Sequence, residues 1–206
     1  MIYNKEISIK IAEQLIKIEA VKLSPENPFT WTSGIKSPIY CDNRVTLSDI
    51  ETRELIKHSF VKCLIQNFPE VELIAGVATA GIPHGMMVAD WTRTPFVYVR
   101  SEPKGHGLTN QIEGKFTPGQ KVVVIEDLVS TGKSSLSAVK SLREVGCDVI
   151  GMMAVFTYGF DKTEELFADE KCPLWTLSDY RTLRFMNSDL PDFQPEELNT
   201  NKIIRR

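Results

Sequence analysis

Apolar positions along the chain change their period partway through. Residues 4–22 carry Ile7, Ile11, Leu15 and Ile18 at steps of three and four, with Ala12 and Ile16 beside them. That spacing predicts an amphipathic helix over 4–22. "SPENP" at 24–28 breaks it. "FTWTSGIKSPIYCDNR" at 29–44 sets aromatics around a glycine and a proline, and predicts two short strands about a Ser-Gly turn. "SDIE" at 48–51 has the form of a capping box opening a second helix that runs to about Asn67. Beyond it, short apolar runs alternate with helical stretches. "VELIAGV" (71–77), "PFVYV" (95–99), "KVVVIE" (121–126) and "DVIGMMAVF" (148–156) read as buried strands. "IPHGMMVADW" (82–91), with Pro83 in its first turn, and residues 134–145 read as helices. Strands apolar on both faces, separated by helices, imply an α/β fold with a central, mostly parallel sheet flanked by helices.

One segment departs from this rhythm. Residues 100–119, "RSEPKGHGLTNQIEGKFTPG", hold four glycines and little apolar content between two strands. A connection of that length is a lid, a binding loop or disordered, and the bland reading is an exposed β-hairpin or a loose surface loop.

Composition narrows the function. The 206 residues are 42% hydrophobic and 25% charged, an ordinary globular balance. With 24 basic and 27 acidic residues the net charge is −3, so no broad basic field exists for nucleic acid. The first twenty residues alternate charge with apolar side chains and hold no uninterrupted apolar run for a signal peptide or membrane span. Cys41, Cys63, Cys147 and Cys172 are scattered without a CxxC pair, which suits reduced thiols in a cytoplasmic protein and argues against structural zinc.

The candidate chemistry lies at 122–135, "VVVIEDLVSTGKSS". Four branched apolar residues run into Glu126 and Asp127, and small polar residues follow. A parallel sheet binds ligands beyond the carboxyl ends of its strands. The turn and the helix start after it would offer backbone N–H groups to an anion, and Gly132 would let backbone come close. Ser130, Thr131, Ser134 and Ser135 add hydroxyls. The carboxylates would repel a phosphate, but they suit sugar hydroxyls and positive charge developing on a ring carbon. The pattern asks for a phosphorylated sugar whose anomeric carbon becomes cation-like. A P-loop would need glycine at 127, where Asp127 stands. An acidic pair that merely caps a helix leaves the hydroxyl residues unexplained.

"VVVIEDLVSTGKS" resembles the phosphoribosyl-pyrophosphate (PRPP) motif of type I phosphoribosyltransferases. "FTWTSGIKSPIYCDNR" resembles the N-terminal hood of the orotate phosphoribosyltransferases, and "VRSEPKGHGLTNQIEG" their mobile catalytic loop. The resemblance implies one phosphoribosyltransferase domain over 1–206, with 1–45 contributing the N-terminal helix and hood. It implies a pentosyltransferase joining orotate to PRPP with magnesium, giving orotidine 5′-monophosphate and pyrophosphate in pyrimidine synthesis. Glu126 and Asp127 would hold the ribose hydroxyls, with Asp127 catalytic. Leu128, Val129, Ser130, Thr131, Gly132, Lys133 and Ser134 would enclose the 5′-phosphate, and Ser130 would also stand near orotate. Arg100, Lys104 and His106 would meet the pyrophosphate, Lys104 and His106 as catalytic groups. The loop would close over the neighbouring subunit's site, which makes a homodimer.

Several positions depart from other members. Ser101 stands where many carry a second basic residue after the loop arginine. Thr32 and Ala80 replace lysines of the hood and of the turn before "GIP". "FTYGF" at 156–160 lacks an arginine that helps bind orotate in some members. Lys36 is a candidate replacement cation in the hood. A uracil or purine phosphoribosyltransferase is the first rival, which the hood segment opposes. A PRPP-sensing regulator is the second, and it would need a DNA-binding domain for which the chain has no room.

Overall fold

A computed structural model describes residues 1–31, 36–101 and 111–193. Its centre is a six-stranded sheet in the order β10-β9-β8-β5-β6-β7. The strands are β5 (Leu73–Val77), β6 (Phe96–Val99), β7 (Ile112–Glu113), β8 (Lys121–Val129), β9 (Asp148–Thr157) and β10 (Leu174–Asp179). All neighbours run parallel except β7, which returns antiparallel along β6. Successive β-residues face opposite sides, so each strand feeds two cores. Val123 and Ile125 pack on one face with α1 (Lys5–Lys17), α2 (Ile50–Asn67) and α3 (Gly81–Thr92). Val122 and Val124 pack on the other with α4 (Lys133–Glu144) and α5 (Asp161–Asp169). Burial on both faces explains the unbroken apolar runs.

The N-terminal reading needs correction. The helix predicted over 4–22 stops at Lys17, and Val21–Leu23 is instead strand β1. Asn4 caps α1 by accepting from Ile7 N (3.0 Å), and Glu19 turns the chain at φ 58°. β1 then pairs antiparallel with β4 (Ile39–Cys41). Ile16, although in phase with the apolar stripe, is exposed, while Ser8 is buried on hydrogen bonds to Ser178 (3.3 Å) and Thr182 (2.7 Å). The two strands expected in 29–44 form as β2 (Phe29–Thr30) and β3 (Lys36–Ser37), paired antiparallel. The Ser-Gly turn between them, with Thr32, lies outside the described residues.

Two further boundaries differ. α2 is capped by Asp49, which accepts from Thr52 N (2.8 Å), one residue later than a Ser48 capping box would have it. β8 continues three residues beyond Glu126, to Val129, because Glu126 and Leu128 still pair with β9. The C-terminal strand β10 and the short helix α6 (Tyr180–Met186) had no counterpart in the sequence reading.

The topology marks one crevice. After β5 the chain crosses to β6 on one side, while β8, β5's other neighbour, is followed by β9 on the opposite side. Connections that diverge in this way open a gap at the carboxyl ends of β5 and β8, the usual ligand position in such sheets.

Candidate active site

β8 carries both acids, and its alternation sends them different ways. Glu126 accepts a hydrogen bond from Ser135 Oγ of α4 at 3.3 Å, and from the Asp127 N–H at 3.1 Å. It is 5% exposed, whereas Asp127 is half-buried at the crevice. Burial, and then the charge of Asp127, hold the Glu126 carboxyl well above the usual carboxylate range. Burial also lifts Asp127, but hydrogen bonds from the Glu126 side chain and from backbone N–H groups oppose that rise. Burial thus raises both carboxyls, Glu126 the more strongly, so the less buried Asp127 gives up its proton more readily.

The turn after β8 is shaped by Gly132, which sits at φ 78° and precedes α4 without a side-chain cap. A Cβ there would stand 3.1 Å from the Phe167 ring and 3.2 Å from the Thr163 methyl. Thr163 Oγ1 also donates to the Ser130 carbonyl at 2.9 Å, tying the turn to α5. The first N–H groups of an uncapped helix point outward with the positive end of its dipole, an arrangement that accepts an anion.

A second turn faces this one. Residues 78–80 join β5 to α3 and contain a cis Ala78–Thr79 peptide. Gly81 allows the close approach, since a Cβ there would lie 2.5 Å from the Ile125 carbonyl oxygen. Between the turns lies a cavity of about 380 Å³. Glu126, Asp127, Leu128 and Ser134 line one wall, and Val77, Ala78, Thr79 and Ala80 line another. Cys41, Asp42 and Arg44 close it from the N-terminal segment. A larger cavity, about 630 Å³, lies between the first residues, α5 and β10, away from both acids.

Of the residues singled out in sequence, Glu126, Asp127, Leu128 and Ser134 meet around the smaller cavity. Ser130, Thr131, Gly132 and Lys133 form the turn beside it without lining it. The Val129 side chain is fully buried in the core, so Val129 offers a ligand no more than its backbone. Arg100 follows β6, pairs with Glu113 across the β6–β7 edge at 3.3 Å, and is outside the cavity wall. Lys104 and His106 lie outside the described residues. The root of their loop is fastened: Gln111 Nε2 donates to the Arg100 carbonyl (2.8 Å) and Gln111 Oε1 accepts from Ser141 Oγ (3.0 Å).

Sequence reasoning gave no role to the short polar run after β4. The buried Asn43 donates from Nδ2 to the Asp127 carbonyl at 2.6 Å, joining positions 84 residues apart. The signal was visible as "CDNR", polar residues closing an apolar strand, but nothing local says which strand they reach. His84 is buried in α3 with both ring nitrogens lacking a hydrogen-bond partner among the described residues. Burial pushes its imidazole down to about 4.

The family model described as "Phosphoribosyl transferase domain" matches residues 49–180, which include both turns and both acids. A curated orotate phosphoribosyltransferase of Bacteroides fragilis is 55% identical over 179 residues, 87% of this chain and 84% of that protein. The chain belongs to the orotate phosphoribosyltransferase family. A Streptococcus pneumoniae member is 54% identical over 192 residues, covering 93% of this chain and 91% of its own. The solved orotate phosphoribosyltransferase of Aeropyrum pernix superposes with a TM-score of 0.77 at 30% identity, over 86% of this chain and 98% of that one. The curled, mostly parallel sheet flanked by helices is the fold of this family's structures.

Proposed function

We propose that the chain transfers the phosphoribosyl group of PRPP to orotate, releasing pyrophosphate and forming orotidine 5′-monophosphate for pyrimidine synthesis. The observation that carries the reading is the convergence of the acid pair, the α4 start and the β5–α3 turn on one cavity at the switch point. Each wall suits one part of PRPP. The turn of residues 130–134 and the first N–H groups of α4 receive the 5′-phosphate. Asp127, at the cavity wall, accepts hydrogen bonds from the ribose hydroxyls, with the more deeply buried Glu126 beside it. As the bond from the anomeric carbon to the pyrophosphate oxygen breaks, positive charge grows on the sugar. The Asp127 carboxylate stabilises that charge in a site shielded from water. The ring nitrogen of orotate, its N–H proton released to the departing pyrophosphate or to water, bonds to the anomeric carbon. Arg100, Lys104 and His106 neutralise the departing pyrophosphate, for which Arg100 exchanges Glu113 for substrate. Ser130 contributes beside the base.

Among the described residues no group of three or more metal-ligating side chains exists. The donor set still fits magnesium, which keeps several waters and takes one or two carboxylates together with substrate oxygens. Asp127 is the accessible carboxylate that would hold it, and the ion would offset pyrophosphate charge. The proposal includes a homodimer in which the loop carrying Lys104 and His106 serves the neighbouring site. It places the enzyme in the cytoplasm; no helix among the described residues is long and apolar enough to cross a membrane.

An absorbance assay with orotate, PRPP and magnesium tests the reading, with uracil and hypoxanthine run alongside. Turnover of orotate alone is expected. Turnover of hypoxanthine or uracil in its place would overturn it.

A further inference from the structure

The cavity wall holds three acids, Asp42, Glu126 and Asp127, against a single cation among the described residues, Arg44. That balance is unfavourable for a site whose proposed substrates are all anions. Ser101, Ala80 and the "FTYGF" segment supply no replacement charge. Arg44 is also specially presented. Its Nε donates to Asp42 Oδ1 at 2.7 Å and its Nη2 to Asp42 Oδ2 at 2.7 Å. The Arg44 backbone N–H binds the same Asp42 Oδ1 at 3.1 Å. Asp42 thus grips one edge of the guanidinium plane. The fork formed by Nη1 and the second Nη2 hydrogen makes no hydrogen bond to a described residue and has the shape to take a second carboxylate.

The position fits the base and not the sugar. The next residue back, Asn43, is fastened to the Asp127 backbone, so Arg44 is held at the hood side of the acid pair. The 5′-phosphate end lies at the opposite wall, by Ser134. On the hood side Trp31 packs on Tyr158 with ring centroids 4.5 Å apart and planes inclined by 42°, although neither ring lines the cavity.

We propose that Arg44, oriented by Asp42, receives the carboxylate of orotate and so sets the preference for a carboxylated pyrimidine. This rests on the orotate reading above. Asp42, Arg44 and the substrate carboxylate form an acid–base–acid row in which the planar guanidinium is shared edge by edge.

The test compares wild type with Arg44→Gln, Arg44→Lys and Asp42→Asn in steady-state assays at saturating magnesium. Arg44 is largely exposed, so the variants should melt with wild type. For Arg44→Gln, KM for orotate should rise about tenfold or more, with KM for PRPP within about twofold. Inhibition by the uncharged methyl ester of orotate should change less than about twofold, because the ester lacks the group Arg44 binds. Arg44→Lys should restore part of the loss by charge alone, and Asp42→Asn should raise KM for orotate by loosening the fork. If wild type turns over orotate and Arg44→Gln keeps its KM for orotate, the inference is wrong while the function stands. A loss falling on PRPP instead also overturns it. A wild type inert towards orotate overturns both.

Discussion

The acid pair should respond unequally to substitution, and the inequality follows from burial. Asp127→Asn removes the member that ionises more readily. Its loss deprives the sugar cation of a stabilising charge, and removing one such group costs on the order of 10²–10³ in kcat. Glu126→Gln replaces a carboxyl that burial holds well above the usual carboxylate range with an uncharged group of the same shape. The amide oxygen can keep the Asp127 N–H contact and the amide NH2 can donate to Ser135 Oγ, so the loss should stay within roughly tenfold. Stability moves with pH in a related way. The Glu126 carboxyl titrates higher folded than unfolded, so its contribution is complete below the ordinary Glu value of 4.5 and is lost as the pH rises towards its folded value. Glu126→Gln should therefore flatten the fall of Tm on the alkaline side. The assay is kcat and KM for both substrates at several pH values, with melting curves beside them. Equal losses for the two variants, or a Glu126→Gln loss exceeding that of Asp127→Asn, would refute the unequal roles argued for the two carboxyls.

Three further outcomes are expected. His84 titrates at about 4 folded against 6.5 ordinarily, so the unfolded chain takes up protons first and stability falls as the pH drops through that window by up to ~3 kcal/mol; His84→Leu should show a flatter acid limb, and an unchanged limb would contradict the buried neutral imidazole. Gly132→Ala must hold φ 78° with a side chain against Phe167 and Thr163, so it should cost about 1–2 kcal/mol in urea melts and raise KM for PRPP several-fold; a variant matching wild type in both would remove the constraint argued for that turn. Lys104→Ala and Asp127→Asn, each nearly inactive alone, should recover about a quarter of wild-type activity after subunit exchange, since half the dimers are mixed and one site in each is intact. No recovery after verified exchange would mean that the loop serves its own chain.

Much of the site was legible in the sequence because its grammar is local. The apolar run, Glu126 and Asp127, the hydroxyl residues and Gly132 are contiguous in a strand–turn–helix unit at the carboxyl end of a central parallel strand. The sheet itself was equally plain, since burial on both faces leaves an uninterrupted apolar signature in β5, β8 and β9. Tertiary structure decided what depends on partners distant in sequence. Val21 and Lys22 fall within the stretch that period reads as helix, yet Val21–Leu23 is a strand because Ile39–Cys41 supplies a ladder. β8 reaches Val129 through its pairing with β9, which no spacing within β8 announces. The meeting of "CDNR" with the acid pair comes from an Asn43 hydrogen bond spanning 84 residues, and it brings Arg44 to the cavity wall. Sequence period fixes which side of an element is apolar; the fold, by closing long loops against their entropy, fixes which elements those sides meet.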